Sequence, residues 1–251
     1  METALSVAPW ALFFQASYWG SRMISPLVFS TSWASLSEAK SEKGYWAATF
    51  TGIVHALLVT ATSVAAIWQD PTFLSSSDAF QVTPLSHLSC CIFLGYIISD
   101  LALSSFFMST WPGWQANLVH HLLVLVSWYQ VTVGGYMHGP CLAAMACEIT
   151  TPFVSARWLL DKTGMKESKI YFWNGMAMMV LWFFFRVCWY SGQTFRIYQL
   201  REGLLTLPTL NICVFLISFF AGAALQLYWF SKLLKGAIKV LTTPKGPSKK
   251  T

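Results

Sequence analysis

The sequence predicts an all-α polytopic membrane protein, a transmembrane bundle of about seven helices, and three observations predict it. Of 251 residues, 55% are hydrophobic, 16% aromatic and only 10% charged, against about 25% charged in soluble domains, so an ordinary water-facing surface cannot be built from this chain. Apolar runs of about 20 residues recur along it, the length a helix needs to cross about 30 Å of hydrocarbon. Basic residues also collect on alternate connections. A spanning barrel is excluded because the runs lack two-residue alternation and are longer than barrel strands.

The expected spans are Leu5–Phe29, Trp46–Trp68, His87–Ser109, Asn117–Val133, Cys141–Leu160, Ile170–Tyr190 and Thr209–Phe230. The first run has Glu2 and no basic residue before it and is too long for a cleaved signal, so it is retained as a span. The segments between runs are short and polar, and none can fold alone. One domain is therefore expected over 1–251, with its core at about 46–240 and a short disordered basic tail at 243–251. The six cysteines lie in or at the ends of the runs without a C-x-x-C pair, which favours apolar packing over disulfides or zinc.

Alternating the sides places Lys40, Lys43, Lys162, Lys166, Lys169, Lys232, Lys235, Lys239, Lys245, Lys249 and Lys250 together, with only Arg196 and Arg201 opposite. That asymmetry predicts a cytosolic C-terminus and, for seven spans, a lumenal N-terminus. The net charge of +6 thus reflects topology, and no nucleic-acid partner is expected. Arg22, Arg157 and Arg186 fall within runs near their ends, where snorkelling to the headgroups is the default reading.

Function is sought at the ionisable residues inside the runs, because each costs a few kcal/mol to insert. These are His55, Asp100, the adjacent His120 and His121, and Glu148. Asp100 needs a donor or a proton; an interhelical hydrogen bond is the plain alternative to a functional role. His120 and His121 point about 100° apart on a helix, which suits one ring in a cavity and one holding the helix better than it suits a metal. Asn117, one turn earlier, is placed to set a tautomer. Pro152 removes the hydrogen bond to the Glu148 carbonyl and predicts a kink that opens room for a ligand. The candidates are therefore His120, His121, Asp100 and Glu148 for chemistry, with His55, Asn117, Pro152 and Arg157 for ligand contact. No bound cofactor and no metal are expected.

Gly95-Tyr-Ile-Ile-Ser-Asp100, His120-His121, Glu148-x-x-x-Pro152-Phe-Val-x-x-Arg157-Trp158, Asn174-Gly175 and Phe-Arg186, with Trp46 and His55 upstream and Lys235-Gly-x-Ile-Lys239 downstream, together resemble the TLC-domain family, which includes ceramide synthases. The resemblance runs from about Ser17 to Val240 and implies membrane lipids as partners and the endoplasmic reticulum as location. In ceramide synthases paired histidines and later acids serve transfer of an acyl chain from acyl-CoA to a long-chain amine. By resemblance His120 and His121 occupy those paired positions, with acyl-CoA as the possible co-substrate. The region Cys147-Glu148-Ile-Thr-Thr carries one acid where ceramide synthases carry His-Asp-x-x-Asp. The leading expectation is therefore a protein of lipid homeostasis that binds or processes a lipid or acyl chain in a polar intramembrane cavity, with acyl-CoA-dependent acyl transfer as the alternative.

Overall fold

The computed structural model describes residues 2–111 and 113–242; the expected basic tail at 243–251 lies outside the described residues. Among the described residues eleven α-helices follow one another: α1 Glu2–Val28, α2 Ser30–Ser35, α3 Glu42–Gln69, α4 Pro84–Phe107, α5 Trp114–Gly134, α6 His138–Ala146, α7 Thr151–Lys162, α8 Lys169–Leu181, α9 Tyr190–Gln199, α10 Arg201–Leu204 and α11 Thr209–Thr242. A 3₁₀ turn at Cys147–Thr150 joins α6 to α7, and a π-helical segment at Trp182–Trp189 joins α8 to α9. The fold is all-α, and among the described residues there is no strand.

Among the described residues four helical stretches are long and apolar enough to cross a membrane: Glu42–Gln69, Pro84–Ser105, Lys169–Gln199 and Thr209–Lys239. The other expected runs are also helical, falling on α1, α5 and the α6–α7 pair. Large apolar side chains such as Leu12, Leu27, Trp68, Leu210 and Ile217 point outward, while Phe14, Val59, Ile97, Leu142 and Met145 fill the interior. So much apolar surface is stable only against lipid. This is an integral membrane protein.

Two run ends differ from expectation. The sixth run was expected to end at Tyr190, but its helix continues to Gln199. Hydropathy falls there while one face stays buried through Gln193, Arg196 and Ile197, which share a helix face at the i, i+3, i+4 spacing. The last helix likewise runs beyond Phe230 to Thr242.

Helix α1 lies against α4 where Gly95 leaves no side chain: a Cβ there would sit 2.6 Å from Trp10 Cβ and 2.9 Å from the Ala11 nitrogen. Close approach of backbones at a small residue is how membrane helices gain packing energy. At one end of the bundle Lys162 Nζ meets Glu42 Oε1 at 2.6 Å, and Tyr45 sits between Trp111 and Trp158, with ring centroids 5.3 and 4.7 Å away. This is the lysine-rich end. At the opposite end Arg196 donates from Nε to the Phe73 carbonyl at 3.3 Å and from Nη2 to that of Ser76, and Met137 N donates to Ala79 O at 2.6 Å. These bonds fold the α3–α4 connection down onto α6 and α9.

Candidate functional site

A cavity of about 420 Å³ opens inside the bundle between α3, α4, α5, α7, the π segment and α11. Its mouth is at the lysine-rich end, where Gly113, Asn117 and Lys232 are exposed and Tyr45 and Trp111 form the wall. Its depth is polar, and its volume is in the range of small-ligand sites, about 300–1,000 Å³.

The floor is an ion pair. Arg186 Nη2 lies 3.0 Å from Glu148 Oε1, with both side chains nearly buried. Arg186 also donates from Nε to Thr150 Oγ1 at 2.5 Å, from Nη2 to Thr151 Oγ1 at 2.9 Å, and reaches Gln226 Oε1 from Nη1 at 3.5 Å. Thr151 passes its own hydrogen to Glu148 Oε2 at 2.5 Å. Low polarity makes such a pair tolerable only when the remaining donors and lone pairs are also engaged, and here nearly all are.

Local backbone choices place these groups. Pro152 cannot donate to Glu148, and the Thr151 nitrogen bonds that carbonyl instead, so the chain tightens into the 3₁₀ turn that aims Glu148 and Thr151 at one side. Across from it the π segment widens the helix by one residue per turn. Cys147 Sγ bonds the Phe185 carbonyl at 3.1 Å, and Arg186 is turned inward, its guanidinium 4.7 Å from the Trp182 ring. The snorkelling expected of Arg186 is thereby corrected. It lies mid-way along the Lys169–Gln199 stretch, and its guanidinium pairs with Glu148.

The two histidines diverge as the helix angle requires. His121 Nδ1 lies 3.0 Å from Asp100 Oδ2 on α4, at angles that fall short of an aligned hydrogen bond. His120 turns to α11, with its ring edge-on to Trp229 at 5.5 Å. Both residues line the cavity. His55 of α3 also lines it, 2% exposed, stacked on Tyr96 at 3.6 Å and 9° between planes.

The cavity thus brings together His55, Asp100, Asn117, His120, His121 and Glu148, and leaves out Pro152 and Arg157. Asn117 stands at the mouth without a hydrogen bond to either histidine among the described residues, so the tautomer-setting contact is absent. Arg157 does not line the cavity. It packs on α8, 4.1 Å over the Tyr171 ring and within 3.4 Å of the Tyr171 carbonyl, in the slot left by Gly175, where a Cβ would meet its Nη1 at 2.4 Å. Asn174 completes that crossing with a bond from Nδ2 to Phe153 O at 2.9 Å. Sequence reasoning also passed over Thr150, Thr151 and Gln226; the single amide in Ala-Ala-Leu-Gln226-Leu was the available signal.

The TLC domain model, of the TRAM, LAG1 and CLN8 group, matches residues 45–235, which hold every group of this cavity. The chain belongs to the TLC-domain family. Human TLC domain-containing protein 4 is 26% identical over 246 residues, covering 92% of this chain and 86% of that protein. TLC domain-containing protein 4-A of Xenopus laevis is 27% identical, covering 87% and 85%. TLC domain-containing protein 1 of Gallus gallus is 22% identical over 77% of each chain. Membership of the TLC family makes this a membrane protein of a lipid-related group. Within this TLC domain, the cavity is where polar chemistry and the membrane interior meet.

Proposed function

We infer that the protein serves lipid homeostasis by taking the polar group of a membrane lipid, or the head of an acyl chain, into the cavity from the lysine-rich end, taken as cytosolic. One observation carries this reading: a chamber of about 420 Å³ inside an otherwise apolar bundle, with the buried ion pair Glu148–Arg186 and the close contact of His121 with Asp100 in its wall. Buried charges inside a membrane are costly, and pairing around a chamber rather than in a sealed core is what a ligand site requires. The rest of the lipid stays in the bilayer or along the apolar walls. The family resemblance carries the endoplasmic reticulum membrane to this chain as its expected location.

The test is native mass spectrometry of the full chain in detergent. A lipid retained in stoichiometric amount by the wild type and lost from Ser155→Phe, which fills the cavity from α7, supports the reading. Equal retention by both overturns it.

A second reading, acyl-CoA-dependent acyl transfer, is favoured by the His121–Asp100 contact. An acid beside Nδ1 orients the ring and leaves Nε2 for the reacting group. In that reaction His121 takes the proton from an incoming amine or hydroxyl, whose N or O forms the new bond to the thioester carbonyl carbon. The C–S bond breaks, and the departing CoA thiolate takes the proton back from His121. If transfer occurs, His121→Ala lowers the release of free CoA from acyl-CoA by about 10²–10⁴-fold. Release unchanged by the substitution removes this reading.

A further inference from the structure

Two antiparallel helices frame the mouth of the cavity. α5 and α11 are joined at one end by Gln130 Nε2 on the Asn211 carbonyl at 3.3 Å, and toward the mouth by His120 edge-on to Trp229 at 5.5 Å. That contact fixes the level of one helix against the other. One turn nearer the mouth, at i−3 from His120 and i+3 from Trp229, stand Asn117 and Lys232 on the same helix faces. Both are exposed and both line the cavity, so they share its lip. Lys235 follows a turn further out on α11 and is also exposed.

Charge is divided unevenly between this lip and the interior. Elsewhere at the lysine-rich end Lys43, Lys162 and Lys166 are answered by Glu38, Glu42 and Asp161. Among the described residues Lys232 and Lys235 have no carboxylate at ion-pair distance. The Lys232 Nζ rests 4.3 Å over the ring of Tyr228, which is outside the cavity lining and 46% exposed. This ammonium therefore stands on the border of cavity and bilayer, where a lipid headgroup has to pass. Further in, the carboxylates of the lining, Asp100 and Glu148, are both buried, and its guanidinium, Arg186, is bound by Glu148. An anion is drawn to the lip and is repelled by the carboxylates if carried deeper. The amide of Asn117, without a side-chain hydrogen bond among the described residues, offers a neutral donor beside the cations, and phosphate oxygens accept from both kinds. A zwitterionic head would bring its own ammonium up against Lys232.

We propose that the lip formed by Asn117, Lys232 and Lys235 seats the phosphate of an anionic phospholipid, while the ester end of its acyl chain reaches into the chamber. The proposal rests on the lipid-cavity reading above and names the class of head. A soluble acyl-CoA also carries phosphate esters; the membrane lipid is favoured because the Lys232 ammonium lies on the outer, Tyr228 side of the lip.

The experiment titrates the full chain, in uncharged detergent at neutral pH and low salt, with palmitoyl lysophosphatidic acid, palmitoyl lysophosphatidylglycerol, palmitoyl lysophosphatidylcholine, monopalmitoylglycerol and palmitoyl-CoA, counting bound molecules by native mass spectrometry. The two anionic lysolipids are expected to bind one to one, at least roughly fivefold more tightly than lysophosphatidylcholine or monopalmitoylglycerol. Lys232→Ala should remove that preference and Lys232→Arg should keep it. Lys166→Ala, which takes the same charge from the same end away from the lip, should also keep it. Equal affinity for the anionic, zwitterionic and neutral lipids overturns the proposal while the lipid cavity stands. So does a preference lowered equally by Lys232→Ala and Lys166→Ala, which would be the general field of a basic surface. Palmitoyl-CoA binding roughly tenfold or more above both anionic lysolipids, with the same dependence on Lys232, overturns the phospholipid as source. Binding of none of the five overturns both readings.

Discussion

Arg186 and Arg196 lie on the same helical run and are about equally buried, at 6% and 5% exposure, yet they meet their needs in opposite ways. Arg186 sits mid-way along that run on a π turn and is matched by a carboxylate, Glu148, with two threonines completing the shell. Arg196 sits one turn from the end of α9 and is matched by backbone carbonyls of Phe73 and Ser76 and by the amide of Gln199. The lesson is that depth decides the partner. Deep in the bundle a lone cation is intolerable and must be neutralised, whereas at the rim, where water and headgroups are close, carbonyl dipoles suffice and the arginine becomes a clamp on a loop.

Breaking the deep pair is expected to have the largest effect. Arg186→Met strands Glu148 as a buried charge and should cost about 3–5 kcal/mol, read as a large fall in the thermal unfolding midpoint in detergent. The double variant Arg186→Met with Glu148→Gln should recover most of that loss. Single and double variants of equal stability would show that the pair is not coupled.

Next in size is the rim. Arg196→Met removes bonds to neutral acceptors and leaves no charge behind, so about 1–3 kcal/mol is expected. Hydrogen exchange should rise at residues 71–80 while lipid retention in the cavity stays as in the wild type. Loss of the bound lipid would mean that the two ends are not separable.

The histidines sharpen the same rule one level down. His121→Ala deprives Asp100 of its partner and should cost about 1–3 kcal/mol, with Asp100→Asn restoring part of it. His120→Ala removes an edge-on contact with Trp229 and should cost less, about 0.5–1.5 kcal/mol. Equal losses in the two variants would contradict the divergence of the rings.

The smallest effect belongs to the lysine-rich rim. Glu42→Gln breaks a partly exposed pair with Lys162 at 2.6 Å, worth about 0–1 kcal/mol. Even that difference should fade in 1 M salt, where screening acts within about 3 Å.

Much of the helical framework was legible in the sequence because an apolar run of some 20 residues has one stable outcome in a bilayer. The expensive residues were legible too, since His55, Asp100, His120, His121 and Glu148 stand out against leucine and phenylalanine by cost alone. Their roles were less so. Arg186 read as a snorkelling residue because the end of its run was judged by hydropathy, and the amphipathic turn through Gln193 and Arg196 moved that end by nine residues. Arg157 read as a headgroup or ligand contact, because nothing in a one-dimensional pattern says that Gly175 of the next helix leaves a slot for it.

By itself, then, the chain determined that it is a helical membrane protein, that its lysines gather at one end, and which polar groups would need partners, because each of these follows from transfer free energies summed along a segment. Only the tertiary structure decided the pairings: Arg186 with Glu148, Asp100 with His121, Arg157 with Tyr171, and His55 with the ring of Tyr96. Pairing depends on which faces of which helices meet, and that is set by packing at residues such as Gly95 and Gly175 and by the 3₁₀ and π turns that rotate Glu148 and Arg186 toward one another, none of which is a local property of the sequence.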